Sequence, residues 1–415
     1  QIGTHDAVGA IARGHQFVVV GDSRQLPPTS FFQRGAEDAD ELEVETDEND
    51  VAELESVLEE AQAKGLPQQL LSWHYRSRHD ALIAFSNHHY YDDRLTVFPA
   101  ARQQVEDLGV RWHHVPDGVF LSGSDRTNPN EARALVDFLV DRLRTTPADS
   151  RSFGVVTFSL AQRTLIEDLL DQARAEFPEL EPHFSDAHPA PLFVKNLENV
   201  QGDERDEMYF SIGYARDEQG RLRMHFGPLS TSGGERRLNV AITRAKMQLH
   251  VFSTLKAEDI DLSRTRAVGT AHLRSFLAYA ARGAGAQSED GAASFITPLE
   301  KDLFDTLTGS SHRLATGIGS AADRVELAVR HPHEPGVYAL GIELDGPSWA
   351  RALTARDRER GRQMVLEGLG WKLHRVWSLA WARDPEGARE ELLGAVSQAL
   401  AGSEEAATED GRSAS

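Results

Sequence analysis

The sequence predicts an α/β protein in which a larger parallel-sheet unit is followed by a smaller α/β unit. Short apolar runs alternate with amphipathic helical stretches through the first 255 residues or so, the pattern of parallel strands joined by crossover helices. A small-residue stretch, RGAGAQSEDGAA at 282–293, interrupts the alternation as a linker would. At 415 residues the chain can hold two or three domains, each with its own core.

Taken in order, Phe17-Val18-Val19-Val20 before Gly21-Asp22 reads as a buried parallel strand meeting a loop. An aromatic and basic segment spans 73–91. Asn130 is expected to cap a helix whose Ala132, Leu135, Val136, Leu139 and Leu143 share one face. A strand is expected at 153–158, then a helix opened by a Ser159/Gln162 capping box and carrying Leu165, Ile166, Leu169 and Leu170. Strands at 192–194 and 207–212, a helix over 237–246 and a strand at 249–253 complete the larger unit. The smaller unit runs from about Thr297 to Leu400, and a polar tail without fixed structure follows.

Composition narrows the function classes. No apolar run reaches membrane-spanning length, so a membrane partner is not expected. The absence of Cys removes disulfides and thiolate chemistry and fits a reducing, cytoplasmic setting. The net charge of -21 argues against a protein that coats nucleic acid, yet 13 acidic residues and no basic one lie within 37–60. Such a block reads as a solvated insertion and leaves room for a local Arg-lined groove elsewhere. Only six of the 44 basic residues are Lys, so the positive sites are mostly Arg forks suited to phosphate.

Four segments carry the chemistry of the larger unit: GDSRQLPP at 21–28, WHYRSR at 73–78, VQGDERD at 200–206 and RLNVAITRAK at 237–246. Their order resembles motifs III, IV, V and VI of superfamily 1 helicases, in the branch of RNA-surveillance and Okazaki-fragment-processing enzymes. The resemblance covers roughly 1–255 and implies two RecA-like lobes with ATP held between them. Phosphoryl transfer needs donors placed around the γ-phosphate rather than covalent help from the protein. On that reading Gln25 senses the phosphate, while Arg76 and Arg244 reach it across the lobe boundary. Glu204 contacts the ribose, with Gln201 and Gly202 shaping its turn. Arg237, seven residues before Arg244, is expected on the same helix face. Trp73 and Tyr75 are expected to be core aromatics rather than base-stacking groups. No GxxxxGK[ST] is present, and the Mg-binding Asp-Glu pair would fall just before Gln1. The sequence therefore reads as the C-terminal part of an ATP-dependent helicase, without its phosphate-binding loop and inactive on ATP alone.

In the smaller unit the segments DRVELAV at 323–329, GIELDG at 341–346, ARDRERGRQMVLEGLGW at 355–371 and HRVWS at 374–378 resemble the very-short-patch-repair-like branch of the restriction-endonuclease fold. Strand periodicity sets Val325, Leu327 and Val329 against Glu326, and Leu340, Ile342 and Leu344 against Glu343 and Asp345. A hairpin through the turn at 331–336 would bring Glu326 beside Glu343. Glu326, Glu343 and Asp345 then form a candidate Mg²⁺ site for activating water on a phosphodiester, with Arg356 and Arg358 as a phosphate clamp. The resemblance puts Asp where Glu326 stands and a His near Ala350. The alternative is therefore a non-catalytic module in which Glu343 and Asp345 are merely solvated. Glu300, three residues after Thr297 with Pro298 between, is expected to cap a helix rather than to catalyse.

The organisation expected is thus the end of a first RecA-like lobe at 1–36, an acidic insertion at 37–64, a second RecA-like lobe at 65–281 and a linker at 282–293. A restriction-endonuclease-like domain at 294–400 and a disordered tail at 401–415 follow. The expected partner is nucleic acid, DNA more than RNA, with ATP and Mg²⁺ as cofactors. A weaker idea makes the acidic block a protein-interaction scaffold.

Overall fold

The computed structural model describes residues 2–26, 56–102, 107–123, 125–283, 295–319, 324–352 and 354–413. Most of the acidic insertion, nearly all of the linker, Pro27-Pro28 and Asp323 lie outside these residues. The chain opens with α1 (Thr4–Ile11) and, after the acidic block, α2 (Val57–Ala63). A two-residue parallel pair, β1 (Trp73–His74) with β2 (Thr96–Val97), brackets α3 (Ala81–Tyr90).

Five strands then build a wholly parallel sheet: β3 (Gly109–His114), β4 (Phe153–Thr157), β5 (Phe193–Asn196), β6 (Arg205–Ser211) and β7 (Ala245–Ser253), in the order β3-β7-β6-β4-β5. Crossover helices cover both faces, as a parallel sheet requires. On one face α4 (Pro129–Thr145) and α5 (Leu160–Glu176) bury Leu135, Leu139, Ile166 and Leu170 against Val155, Tyr209 and Phe252. On the other, α3, α6 (Gly234–Ile242) and α7 (Val268–Arg282) bury Phe85, Leu238, Ile242, Leu273 and Phe276 against Val156, Phe210 and Val251. Each such side chain contributes roughly 1.5–3 kcal/mol through removal from water.

Several local expectations need correction. The cap of α4 is Asn128, which accepts from the Glu131 amide at 3.3 Å, whereas Asn130 lies in the first turn. Pro129, with no N–H and a fixed φ, takes the first helical position and so sets the cap one residue before itself. Ser159 caps α5 as expected, but Gln162 does not return the bond. Its fully buried amide instead bridges Asn128 and Ser211. Phe17–Val20 forms no strand among the described residues, and Val18 and Val20 are 83% and 80% exposed. A strand needs a ladder partner, and the described residues offer this segment none. The helix expected over 237–246 ends at Ile242: Thr243 takes the C-cap position, its hydroxyl on the Asn239 and Val240 carbonyls at 3.0 Å each, and β7 begins at Ala245.

The second sheet has the order β11-β10-β9-β8, formed by β8 (Leu314–Ile318), β9 (Val325–Arg330), β10 (Tyr338–Leu344) and β11 (Leu373–Val376). Pairings β8/β9 and β9/β10 are antiparallel, and β10/β11 is parallel. One face packs on α8 (Pro298–Gly309) and on α11 (Pro385–Ser413), which follows α9 (Arg362–Gly368) and α10 (Ser378–Arg383), through Leu303, Leu327, Ile342 and Leu392. The other face shares a core with the larger unit: Val325 and Ala328 pack with Leu366, Trp371, Phe98 and Ala101. Trp371 Nε1 donates to the Pro99 carbonyl at 2.7 Å, and the Tyr338 amide donates to the Ala101 carbonyl at 2.9 Å. Helix α11 continues through 401–413, which corrects the unstructured tail. The Ala- and Glu-rich sequence there favours helix.

Candidate functional site

Arg76 follows β1, whose pairing with β2 fixes the turn that carries it. Its Nε lies 2.7 Å from one Glu204 carboxylate oxygen, and Lys246 Nζ lies 3.1 Å from the other. Arg76 Nη1 also reaches the Thr243 carbonyl at 3.5 Å, at the capped end of α6. The next residue, Arg244, is 4% exposed and donates to the Val240 carbonyl at 2.7 Å and the Thr243 hydroxyl at 3.2 Å. Arg76, Glu204 and Arg244 therefore converge where the end of α6 meets the start of β6. Gly202, in the turn before Glu204, has φ +88°, a left-handed conformation that favours glycine.

The electrostatics of this cluster are those of a site short of an anion. Arg76 and Lys246 share the one Glu204 carboxylate, and Arg244 lies buried nearby on Val240 and Thr243. Burial, then the Arg76 charge, pushes Arg244 down to about 10. Burial alone would raise the Glu204 carboxyl, yet the Lys246 hydrogen bond and the Arg76 charge hold it below its ordinary value. His74 is lowered to about 4 by burial and by Arg76. A phosphate oxygen placed here would meet the half-buried Arg76 guanidinium, with which it could form charge-assisted bonds.

Gln25 joins through a relay. Its amide donates to Asp22 at 2.9 Å, and the same Asp22 oxygen accepts the Tyr91 hydroxyl at 2.7 Å. Asn239 of α6 donates to that hydroxyl at 3.2 Å and to the Arg24 carbonyl at 2.8 Å. The Gln25 loop is thereby tied to the helix that delivers Arg244. Two cavities result. Arg76, Glu204 and Lys246 line one of about 530 Å³, walled on its far side by Met364, Val365 and Gly368. Gln25, Gln201, Asp22 and Arg236 line a second of about 270 Å³. Lys246 and Asn239 were inside the quoted RLNVAITRAK segment, but nothing in sequence spacing reveals their partners.

Other candidates lie elsewhere. Arg237 does not share a helix face with Arg244, because α6 stops first; it contacts Glu198 at 3.5 Å and the Thr231 hydroxyl at 3.3 Å. Tyr75, expected in the core, is 82% exposed. Trp73 packs edge-on against Phe98 at 5.5 Å and touches Gly361.

In the smaller unit the hairpin register pairs Ile342 with Leu327, so its next step sets Glu343 opposite Glu326. Neither is a solvated outward residue: they are 4% and 3% exposed, because the 98–101 segment and α9 (Arg362–Gly368) cover that face. The carboxylates fit a metal ion poorly. Arg362 Nε holds one Glu343 oxygen at 2.7 Å and Arg375 holds the other at 3.1 Å. Asp345 is turned to Ser378, accepting its amide at 2.9 Å and its hydroxyl at 2.7 Å. Among the described residues no group of three or more His, Asp or Glu is arranged to hold a metal ion. Glu300 belongs to the start of α8 as expected: its amide donates to the capping Thr297 hydroxyl at 3.3 Å, and its carboxylate accepts from the Ile296 amide at 2.9 Å and pairs with Arg324 at 2.7 Å. Arg356 is exposed, and Arg358 lies over the Trp349 ring at 4.5 Å. Among the described residues no helix is long and apolar enough to cross a membrane.

Residues 54–256 match the family model AAA_12, an AAA domain, and 299–396 match REase_MTES_1575. The chain is 31% identical over 405 residues to the uncharacterized ATP-dependent helicase MG140 of Mycoplasma genitalium, an alignment covering 93% of this chain and 35% of that protein. It is 26% identical to the probable helicase senataxin of Homo sapiens, over 59% of this chain and 9% of that one. It is 23% identical to the DNA polymerase alpha-associated DNA helicase A of Saccharomyces cerevisiae, over 58% of this chain and 34% of that protein. The chain thus spans about a third of the length of its mycoplasmal relative.

Proposed function

The chain belongs to the superfamily 1 helicases related to senataxin, with a restriction-endonuclease-like domain behind the helicase domain, and on that premise we propose that it supplies the second-lobe half of an ATP-driven nucleic-acid motor. The observation that carries this reading is the pairing of Arg76 and Lys246 with a single Glu204, beside the buried Arg244, whose Thr243 anchor also meets Arg76. Bound between this surface and a partner lobe, ATP would place its γ-phosphate against the two arginines and its ribose against Glu204. Gln25, coupled to α6 through Tyr91 and Asn239, would report that phosphate to the nucleic-acid track. Arg237, held by Glu198, serves the fold and not the phosphate.

The restriction-endonuclease-like domain acts in this reading as a nucleic-acid-holding module, DNA being the substrate class that its fold favours. Glu343 is neutralised by two arginines, and no hydrolytic step is routed through a metal there. Joining the chain to a lobe that bears a phosphate-binding loop should give ATP turnover stimulated by DNA more than by RNA. Absence of any stimulation by either would refute the motor reading. Incubation of the chain with DNA and Mg²⁺ or Mn²⁺ should leave the DNA intact, and cutting abolished by Glu343→Ala would reinstate the nuclease.

A further inference from the structure

We propose that the smaller domain carries a base-stacking site for single-stranded nucleic acid, built from Trp349 and Trp377 and flanked by Arg351, Arg356 and Arg360. The inference deepens the reading of this domain as a nucleic-acid-holding module and rests on it.

The two indoles come from neighbouring strand ends. Trp349 stands in the short helical turn Pro347–Ala350 just after β10, and Trp377 immediately follows β11. Strands β10 and β11 are paired in parallel, with Leu344 beside Val376, so both rings emerge at one edge of the sheet. Their centroids lie 5.9 Å apart at 86°. Trp377 is 42% exposed, and Leu379 beyond it is 58% exposed. Large apolar groups left together in water mark a surface that meets something.

The surroundings favour a planar, anionic partner. Arg358 lies over the Trp349 ring at 4.5 Å and Arg375 over the Trp377 ring at 5.5 Å. A base extends such indole–guanidinium stacks as readily as another ring would. Trp349 is held in place, since its Nε1 donates to Glu359 at 3.2 Å while Arg375 binds the same carboxylate at 2.6 Å. The π-helical turn Asp357–Gly361 carries Glu359 between Arg358 and Arg360, and such turns cluster at functional sites. Arg351, Arg356 and Arg360 are exposed and have no ion-pair partner among the described residues. In a chain of net charge -21, unpaired arginines beside the exposed Trp377 and the half-buried Trp349 form a local exception that suits a phosphate backbone. Duplex bases already stack on each other, whereas two indoles set at right angles need bases free to splay. The strand is therefore single.

The test is fluorescence anisotropy of the whole chain with a labelled oligothymidine of about 15 nucleotides, within the site sizes usual for stacking proteins. The double variant Trp349→Ala/Trp377→Ala should bind it at least about 5-fold more weakly, the low end of what one stacked base contributes. Trp349→Phe/Trp377→Phe should retain most of the affinity, and Arg356→Glu/Arg360→Glu should flatten its salt dependence. Affinity for a hairpin duplex should change little in the Ala pair. Binding of the parent that is unaltered in a folded Ala pair would overturn the stacking site and leave the motor untouched. A parent that binds no single strand would also overturn it. The motor is judged separately by ATP turnover in the two-lobe protein.

Discussion

At the scale of single residues, Glu131 shows how a polar side chain organises the functional edge of the sheet. Its carboxylate, wholly buried near the start of α4, accepts from the Ser211 hydroxyl at 2.8 Å, the Gly213 amide at 2.6 Å and the Thr254 amide at 3.0 Å. It thus joins a helix start to the C-terminal ends of β6 and β7, the edge at which parallel sheets place their ligands. Burial pushes its carboxyl from 4.5 up to about 7, outweighing those hydrogen bonds. A folded-state value above the unfolded one means that the fold holds the proton more tightly. This contribution is complete below about pH 4.5 and is lost as the pH rises to about 7, at a cost on the order of 3 kcal/mol. Urea midpoints should therefore fall between pH 5 and 7, and Glu131→Gln should flatten that slope. An equally steep slope in the variant would assign the effect elsewhere. Residue identity at the site was legible because Gln25, Arg76, Glu204 and Arg244 sit in motifs whose chemistry dictates their types. Their partners were not. The Tyr91–Asn239 contact spans 148 positions in sequence, and no local pattern encodes it.

At the scale of elements, periodicity served where a stripe is long. Ala132, Leu135, Val136, Leu139 and Leu143 all lie inside, as the spacing of α4 requires. It failed where a capping contact decides the matter. Asn128 outranks Asn130 because Pro129 stands at the first helical position, and Asn128→Ala should cost roughly 1 kcal/mol in thermal or chemical unfolding. Arg244 left the helix face because Thr243 closes α6, a stop that the apolar pattern does not announce. Trp371 stands at the join between the sheets, with its indole buried and bonded to the Pro99 carbonyl. Trp371→Ala should destabilise the chain by roughly 3–5 kcal/mol, as truncations of buried aromatic groups do. A loss under 1 kcal/mol would mean that the join is loose.

At the scale of the whole molecule, the two sheets are less independent than the linker-like composition at 282–293 implies. The 98–101 segment seals the second sheet, and Arg78 donates to the Gly368 carbonyl from the loop that bears Arg76. Nothing in sequence marked these contacts, because a short aperiodic segment carries no signal of what it will cover. A Cβ on Gly361 would lie 2.9 Å from the Trp73 ring, so Gly361→Val should wedge the sheets apart. Calorimetry should record one unfolding transition for the parent and two for that variant; two transitions in the parent would contradict the shared core. The same join places Met364 and Gly368 on the wall of the cavity that holds Arg76 and Glu204, so the smaller domain borders the proposed nucleotide cleft.

That cleft is the centre of the account, and ATP turnover by the two-lobe protein with Arg244→Ala tests it most directly. The variant should fold and retain nucleic-acid binding while kcat falls by about 10³-fold or more, the contribution expected of a transition-state arginine. Turnover equal to that of the parent would remove Arg244 from the phosphate and, with it, the assignment of this surface as half of an ATP site.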